Sequence, residues 1–283
     1  MNRILAIDIG GTTFSFIYFI NKEIKFKSKL FYIKDYKLYI NFIEDLSKQI
    51  NKIIMKEKLN LIGIACPGPL NSDSGIIYNP PNINFLHNVN LVKDLKKIIN
   101  CDKILLENDA NVYTLGSYYK LKCNNSVLLG ITLGTGIGFG FIINNKLFKG
   151  GYGMAGEYEL SPLNNNLTWS NLLGYKFFEE QTIKNFNIKK TPKELFELAL
   201  NNNKHAIKIW SKYGKNIGLC LSHIIGIINP NIISIGGGIS KANKFFYKDI
   251  INILENKCLI YNKNKLEIIF DNNEISNIFM GWF

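Results

Sequence analysis

Arginine is almost absent from this basic chain of 283 residues. Arg3 is the only arginine among 34 lysine and arginine residues, and the formal net charge is +12. Nucleic-acid surfaces depend on the bidentate contacts of arginine, whereas these lysines are scattered among asparagines and isoleucines. We therefore predict no nucleic-acid partner and interpret the charge as a positive surface that attracts small anions.

Long hydrophobic runs are also missing. No apolar stretch reaches the roughly 18 residues that span a bilayer. The first residues follow a strand pattern, without the charged and apolar regions of a signal peptide. We expect no membrane partner and a cytoplasmic location.

Cysteine is too sparse to form a metal cluster or a disulfide framework. The five cysteines are odd in number, widely spaced and mostly in apolar surroundings, which indicates reduced, buried thiols. They are Cys66, Cys101, Cys123, Cys220 and Cys258. The hydrophobic content of 47% is enough for the core of one large or two medium domains.

A glycine turn follows the first apolar strand. Gly10 and Gly11 allow the backbone to turn tightly and to bring its N–H groups against an anion. Thr12 and Thr13 add hydroxyl donors, and Asp8, at the strand end, can hold a hydrated Mg²⁺. These residues indicate a phosphate site, although a hairpin without a ligand also explains the two glycines.

Two later glycine turns follow apolar strands in the same way. The predicted strand 126–132 leads into a Gly-Thr-Gly turn at 134–136, and a further strand follows at 139–143. The predicted strand 231–235 leads into three glycines at 236–238, which let a flat base lie against bare backbone. The repeated strand, turn and strand predict two lobes that hold a nucleotide between them.

The order of elements predicts an α/β protein. Three extended segments open the chain, apolar residues recur at helical spacing over 36–58, and a short apolar strand follows at 61–65. This βββαβ order favours a mixed sheet with helices on its faces. Near the end of the chain we predict a long helix over 206–228.

Taken together, the motifs resemble those of the sugar kinase, Hsp70 and actin ATPase superfamily, and specifically of the ROK family of bacterial sugar kinases. The resemblance rests on the order and spacing of six segments and covers nearly the whole chain. The segments are 8–13, 65–70 with 75–77 and 80–82, 107–111, 133–138, 155–157 and 236–238.

The resemblance implies a two-lobed actin-like ATPase (ribonuclease H-like) fold with duplicated mixed-sheet domains and a central cleft. The N-terminal lobe would cover residues 1–110 and be completed by a helix at 272–283, and the C-terminal lobe would cover 111–271. We expect a homodimer. The aromatic tail would dock on the first lobe or at a dimer interface; it contains Phe279, Trp282 and Phe283.

The resemblance also implies ATP-dependent phosphorylation of a hexose hydroxyl, with glucose to glucose 6-phosphate as the preferred assignment. Phosphoryl transfer needs in-line positioning, charge neutralisation and a base for the attacking hydroxyl. Asp109 is the candidate base, since it follows a strand and starts a helix. The alternative role for Asp109 is a helix N-cap.

The remaining site residues are assigned by ligand. Asp8 would hold Mg²⁺ through water. The sugar would contact Gly68, Asn82, Asn108, Asp109 and Glu157. The nucleotide would contact Gly10, Gly11, Thr12, Thr13, Gly134, Thr135, Gly136, Gly236, Gly237 and Gly238.

The acceptor side departs from the family pattern. Leu160 stands where the family has a zinc-binding histidine, and the zinc loop is shortened to residues 164–166, without cysteine, so we predict no zinc. Trp169 falls where a second sugar carboxylate is expected. Phe139 replaces a small residue and either packs in the core or reshapes the sugar pocket.

These departures leave two other functions open. One is a kinase for an N-acylated hexosamine or fructose. The other is a degenerate nucleotide-binding or sugar-binding regulatory protein with little turnover, motivated by the missing sugar partners.

Overall fold

The computed structural model describes residues 2–54, 58–124, 126–164, 167–271 and 280–282. These residues divide into two compact units. The first unit contains the described residues within 1–119 together with 149–155 and 280–282, and the second contains the described residues within 120–148 and 156–271.

The first unit is built on a mixed six-stranded sheet. Its strand order is β3-β2-β1-β5-β9, and β4 pairs with β2. The pairing of β1 with β2 is antiparallel, whereas β1, β5 and β9 are parallel. Three short strands, β6, β7 and β8, form a separate sheet. The elements are β1 (Arg3–Ile9), β2 (Thr13–Ile20), β3 (Glu23–Lys27), β4 (Phe31–Tyr32), α1 (Tyr39–Ile54), β5 (Leu59–Cys66), β6 (Leu70–Asn71), β7 (Ile76–Ile77), β8 (Val89–Asn90), α2 (Leu91–Ile98), β9 (Cys101–Asn108) and α3 (Asp109–Leu121).

The second unit repeats this plan. Its five-stranded sheet has the order β12-β11-β10-β15-β16. An antiparallel hairpin, β10 with β11, is again followed by parallel strands, β10 with β15 and β15 with β16. The elements are β10 (Leu128–Leu133), β11 (Ile137–Ile143), β12 (Lys146–Leu147), β13 (Pro162–Asn164), β14 (Leu167–Thr168), α4 (Trp169–Leu173), α5 (Tyr175–Phe186), α6 (Pro192–Leu200), α7 (Lys204–Ile228), β15 (Ile232–Gly236), α8 (Tyr247–Lys257) and β16 (Glu267–Phe270).

Both predictions about the sheets are thus confirmed: the sheets are mixed, and the arrangement is duplicated. The opening extended segment differs in detail, because it breaks into β3 and β4 at Ser28. There the Ser28 hydroxyl accepts the Phe16 N–H at 2.9 Å. At that point the Ser28 hydroxyl, rather than a backbone carbonyl, accepts the hydrogen bond from β2, so the strand is interrupted.

Each unit has its own apolar core, and the helices face these cores as their sequences predict. In α1 the apolar residues Phe42, Leu46, Ile50 and Ile54 recur every four positions and are buried in the first core, which is the spacing of one helical face. The longest described helix, α7, buries eleven of its residues, and nine of these belong to the second core.

Local signals set the ends of α7. At its start the Asn203 side chain accepts the Ala206 N–H at 3.0 Å, and at its end Asn229 adopts a left-handed conformation with φ 43°, as caps require. None of the helices in the described part of the chain has the length and hydropathy of a membrane span.

All five cysteines are free thiols. Four are buried, and Cys101 is half-buried. The interpretation of the cysteines as reduced core residues therefore fits four of the five positions, while Cys101 lies at the start of β9 with partial access to solvent.

Trp282 packs in the first unit. Its ring lies over Gly63 of β5, where an added Cβ would come within 2.3 Å of the indole. Around it are residues of β1 and β2, among them Ala6 and Phe19, and Val112 of α3. Most of the predicted closing helix, with Phe279 and Phe283, lies outside the described residues.

We predict that Trp282→Ala lowers the free energy of unfolding by about 2–3 kcal/mol, because a half-buried indole leaves a cavity over a glycine that cannot fill it. The measurement is the urea midpoint followed by far-UV circular dichroism. Tyr152→Ala, which removes an aromatic side chain that is 84% exposed, is the matched control. Equal midpoints for the two variants would contradict the packing role of Trp282.

Candidate active site

The first glycine turn closes the β1–β2 hairpin in the first unit. Gly10 donates its N–H to the Thr13 carbonyl at 2.8 Å, and the Thr12 carbonyl accepts the Ile33 N–H at 2.9 Å. An added Cβ at Gly11 would lie 3.2 Å from the Cβ of Asn82. The structure therefore brings a predicted phosphate residue against a predicted sugar residue, and a side chain at position 11 would crowd Asn82.

Parallel pairing brings the ends of three strands together in the same unit. Asp8 of β1 pairs with Ala65 of β5, and Cys66 of β5 pairs with Asn108 of β9. Because parallel strands end at one edge of a sheet, the carboxylate of β1, the thiol of β5 and the polar residues after β9 share that edge. Gly68 follows in the next loop.

Helix α3 begins at Asp109, but its cap is the residue before it. The Asn108 Oδ1 atom accepts the N–H groups of Ala110 at 2.9 Å and of Asn111 at 3.3 Å, which is the N-cap arrangement. Asp109 is the first helical residue, and its Oδ1 atom accepts the Ala110 N–H at 2.8 Å. The capping role considered for Asp109 therefore belongs mainly to Asn108.

The two carboxylates share a poorly solvated environment. Burial raises the pKa of Asp8 to about 7, and the charge of Asp109 adds to this effect. Burial also raises the pKa of Asp109, while the Ala110 N–H opposes that change. The same burial, with both carboxylates nearby, raises the pKa of the Cys66 thiol, which stays protonated.

This carboxylate pair fits a hard divalent cation. Two oxygen-bearing acids that interact in a desolvated setting are stabilised by a positive charge, and Mg²⁺ prefers oxygen ligands and retains water. No group of three or more His, Cys, Asp or Glu within the described residues is able to hold a metal. A metal on Asp8 would therefore depend on water and phosphate oxygens for its other ligands.

Glu107 links the end of β9 to the first turn of α3. Its side chain is 6% exposed, and its Oε1 atom accepts hydrogen bonds from the Asn108 N–H at 2.9 Å and from the Asn111 Nδ2 at 3.0 Å. The Oε2 atom lies 2.7 Å from the Nζ atom of Lys149. Sequence reasoning missed Lys149, although a carboxylate at the end of an apolar strand signals that a cation must lie nearby.

The second glycine turn closes the β10–β11 hairpin in the second unit. Gly134 donates its N–H to the Gly136 carbonyl at 2.9 Å, and the Thr135 carbonyl accepts the Tyr175 N–H at 3.0 Å. An added Cβ at Gly134 or Gly136 would meet no described atom within 4 Å. The turn is anchored by α5 and open on the side of its glycines.

The triple-glycine turn lies beside this hairpin. Gly236 of β15 pairs with Thr132 of β10, and Gly237 has φ 95°. An added Cβ at Gly237 would lie 2.1 Å from the Leu133 carbonyl oxygen, so only glycine fits there. A 3₁₀ helix begins at Gly238. The second unit therefore brings the two predicted nucleotide segments to one edge of its sheet.

The predicted acceptor residue of the second unit is Glu157. It begins a short 3₁₀ helix, Glu157–Leu160, and is partly buried. Gly156, just before it, has φ 101°, and an added Cβ there would lie 2.2 Å from the Phe139 carbonyl oxygen. Leu160 is 43% exposed.

The aromatic residues near Glu157 form part of the second core. Phe139 is 2% exposed and Trp169 is 1% exposed. Their rings lie 5.7 Å and 6.1 Å from that of Tyr158. His223, which sequence reasoning missed, lies 5.5 Å from the Trp169 ring, with its Nδ1 atom 3.2 Å from the Tyr158 hydroxyl. For Phe139 the core interpretation is the one that the packing supports.

The predicted residues thus fall into two groups, each within one unit. The first unit holds Asp8, Gly10, Gly11, Thr12, Thr13, Gly68, Asn82, Asn108 and Asp109, and the second holds Gly134, Thr135, Gly136, Glu157, Gly236, Gly237 and Gly238.

The fold and these motifs define an actin-like ATPase of the sugar kinase class. The sequence profile of the ROK family matches residues 4–166 and 178–281, which is most of the chain. The chain belongs to the ROK family.

Two characterised relatives are similar over most of their length. The glucokinase of Thermotoga maritima is 28% identical over 87% of this chain and 84% of its own. The N-acetyl-D-glucosamine kinase of Haemophilus influenzae is 26% identical over 85% of this chain and 86% of its own.

A solved structure shows the same fold. The ROK family glucokinase of Streptomyces griseus, determined in complex with glucose and AMPPNP, matches 99% of this chain and 98% of its own with a TM-score of 0.83. At 17% identity this similarity concerns the fold alone.

We predict that Asp8→Asn stabilises the protein at alkaline pH in the absence of metal and nucleotide. The folded state raises the pKa of Asp8 from 3.8 to about 7, so the native carboxyl holds its proton more tightly than the unfolded one. The stability that this proton contributes is present below about pH 4 and is lost as the pH rises through 7. The neutral amide avoids that loss.

The gain in the free energy of unfolding from Asp8→Asn should therefore grow between about pH 4 and pH 7 and then level off, reaching a few kcal/mol at most. Thermal melts in chelator across this range measure it. Asp102→Asn changes an acid on β9 whose side chain is 47% exposed and serves as the control. A pH-independent difference would show that Asp8 is not desolvated.

Proposed function

We propose that this protein transfers the γ-phosphoryl group of ATP to a hydroxyl of glucose, giving glucose 6-phosphate, with Asp109 as the general base. The observation that carries the proposal is the position of Asp109, which directly follows the parallel strand β9 and has Asp8 at the same sheet edge. A base at this point takes the proton of an attacking hydroxyl, which is worth roughly 10²–10⁴-fold in rate.

The surroundings of Asp109 favour this role. Burial raises its pKa and so makes it a stronger base, while the Ala110 N–H, at 2.8 Å from Oδ1, helps to keep it ionised and fixes its orientation. Asn108, whose Oδ1 atom caps the start of α3, is assigned to a sugar hydroxyl. Gly68, Asn82 and Glu157 are assigned to the remaining hydroxyls.

The nucleotide is assigned to the glycine turns. Backbone N–H groups of 10–12 in the first unit and of 134–136 in the second contact phosphate oxygens. The adenosine lies on 236–238, where the backbone at Gly238 is open on the side of the missing Cβ. Asp8 holds Mg²⁺, which supplies charge neutralisation at the phosphates when bound.

Glucose is the first choice of acceptor because the Thermotoga maritima relative is a glucokinase. An N-acylated hexosamine is the second candidate, because the Haemophilus influenzae relative acts on N-acetyl-D-glucosamine at nearly the same identity. The changed residue at Leu160 and the buried Trp169 also favour a sugar site that differs from that of typical glucokinases.

We predict that purified protein with MgATP releases ADP on addition of glucose, and that Asp109→Asn lowers kcat by about 10²–10⁴-fold. A coupled ADP assay over glucose, mannose, fructose, N-acetylglucosamine and N-acetylmannosamine measures both claims, and mass spectrometry identifies the phosphorylated sugar. Asp102→Asn, an exposed acid on the same strand, should retain full activity.

The panel also separates the alternatives. Preference for an N-acylated sugar would assign the protein to the hexosamine kinases. ADP release that no sugar stimulates, combined with measurable nucleotide binding by calorimetry, would favour the regulatory protein with little turnover. Undiminished activity of Asp109→Asn would remove the general base from the mechanism.

A further inference from the structure

The Nζ atom of Lys149 contacts three polar side chains in the first unit. Lys149 follows β12 and opens the segment 149–155, which belongs to the first unit although its neighbours on both sides belong to the second. Its Nζ atom lies 2.7 Å from Glu107 Oε2, 2.8 Å from Ser72 Oγ and 3.9 Å from Asp73 Oδ1. One side chain thus joins the 149–155 segment to β9 and to the turn after β6.

The partner carboxylate depends on this lysine. The Glu107 side chain is 6% exposed, whereas that of Lys149 is 35% exposed. A buried carboxylate without a cation is strongly destabilised, while a half-exposed ammonium retains water. The ion pair is therefore asymmetric: loss of Lys149 leaves a buried charge unpaired, and loss of the Glu107 charge does not.

Glu107 connects this ion pair to the proposed catalytic turn, residues 107–111, through two hydrogen bonds. The oxygen that does not face Lys149 accepts the Asn108 N–H and the Asn111 side-chain amide. These two residues flank Asp109 and Ala110. A shift of the Glu107 carboxylate therefore moves the strand end and the first turn of α3, on which the direction of the Asp109 carboxylate depends.

A backbone hydrogen bond between its first and last residues also closes the segment 149–155 into a loop. The Ala155 N–H donates to the Lys149 carbonyl at 3.0 Å. Gly150 has φ 70°, and an added Cβ there would lie 3.2 Å from the Ala155 Cβ. Since Gly156 and Glu157 follow directly, the residue that holds Glu107 also fixes the point at which the chain enters the proposed acceptor segment.

We propose that Lys149 is a positioning residue for phosphoryl transfer: its ion pair with Glu107 orients Asn108 and Asp109 and fixes the start of the chain that leads to Glu157. Lys149 itself touches neither the nucleotide nor the sugar. This inference rests on the proposed function for its effect on rate, but the ordering of the 107–111 turn is a separate claim with its own measurement.

The kinetic test is a double-mutant cycle. Lys149→Met should lower kcat for the sugar by about 10–100-fold and change the KM for ATP by less than about twofold. Lys149→Arg should recover most of the rate because it restores the cation. Lys149→Met combined with Glu107→Gln should be more active than Lys149→Met alone, because the buried charge is then removed. Lys146→Met, three residues away and exposed, is the control.

Additive losses in the cycle, or a loss of rate that only matches the loss of folded protein, would overturn the proposal. Hydrogen exchange measured by mass spectrometry provides the readout without activity. Peptides covering 107–111 should exchange faster in Lys149→Met than in the wild type. Peptides covering α1 should exchange at the same rate in both proteins. Unchanged exchange at 107–111 would also overturn the proposal. If the wild type lacks sugar-dependent ADP release, the proposed function fails, and the exchange result still decides the positioning claim.

Discussion

The parallel pairing of β1, β5 and β9 is the constraint on which the first unit's candidate site depends. Its register places Asp8 beside Ala65 and Cys66 beside Asn108, so residues from three distant parts of the sequence end at one edge. The second unit applies the same rule to β10 and β15, where the register of Thr132 with Gly236 places two glycine turns side by side. In both units backbone hydrogen bonds inside a sheet, rather than contacts among the site residues, determine which groups meet.

This arrangement places the carboxylates of Asp8 and Asp109 where burial disfavours their charged forms. Burial raises the pKa of both Asp8 and Asp109, and the charge of Asp109 raises the pKa of Asp8 further. A cation placed beside two such carboxylates would offset the unfavourable burial of their charges. The neighbouring Glu107 differs from these two acids, because its side chain is paired with Lys149. Nearby carboxylates therefore have different environments: Glu107 is paired with a lysine, whereas burial raises the pKa of Asp109.

Much of the architecture could be predicted because its signals are local. Glycine turns after apolar strands identified both hairpins, and the spacing of Phe42, Leu46 and Ile50 identified α1. Other features depend on contacts that no short segment contains. Whether Asn108 or Asp109 caps α3 depends on the backbone angles at the strand end, and the partner of Glu107 is far away in the sequence. The burial of Phe139 and Trp169 required knowing that Tyr158 and His223 converge on them. The ligand roles of the site residues remain proposals, since neither spacing nor packing identifies a bound sugar.

The packing of Trp282 on Gly63 also has a consequence for the order of folding. The whole second unit lies between these two residues in the sequence, so the face of the first sheet that Trp282 covers stays uncovered while the intervening chain is synthesised. Domains usually fold in order from the N-terminus during synthesis. Here the first unit begins to form early but completes its packing only after the second unit has been made, and contacts this distant in sequence form slowly. The apolar surface around Gly63 is therefore exposed on the nascent chain until the second unit has been made.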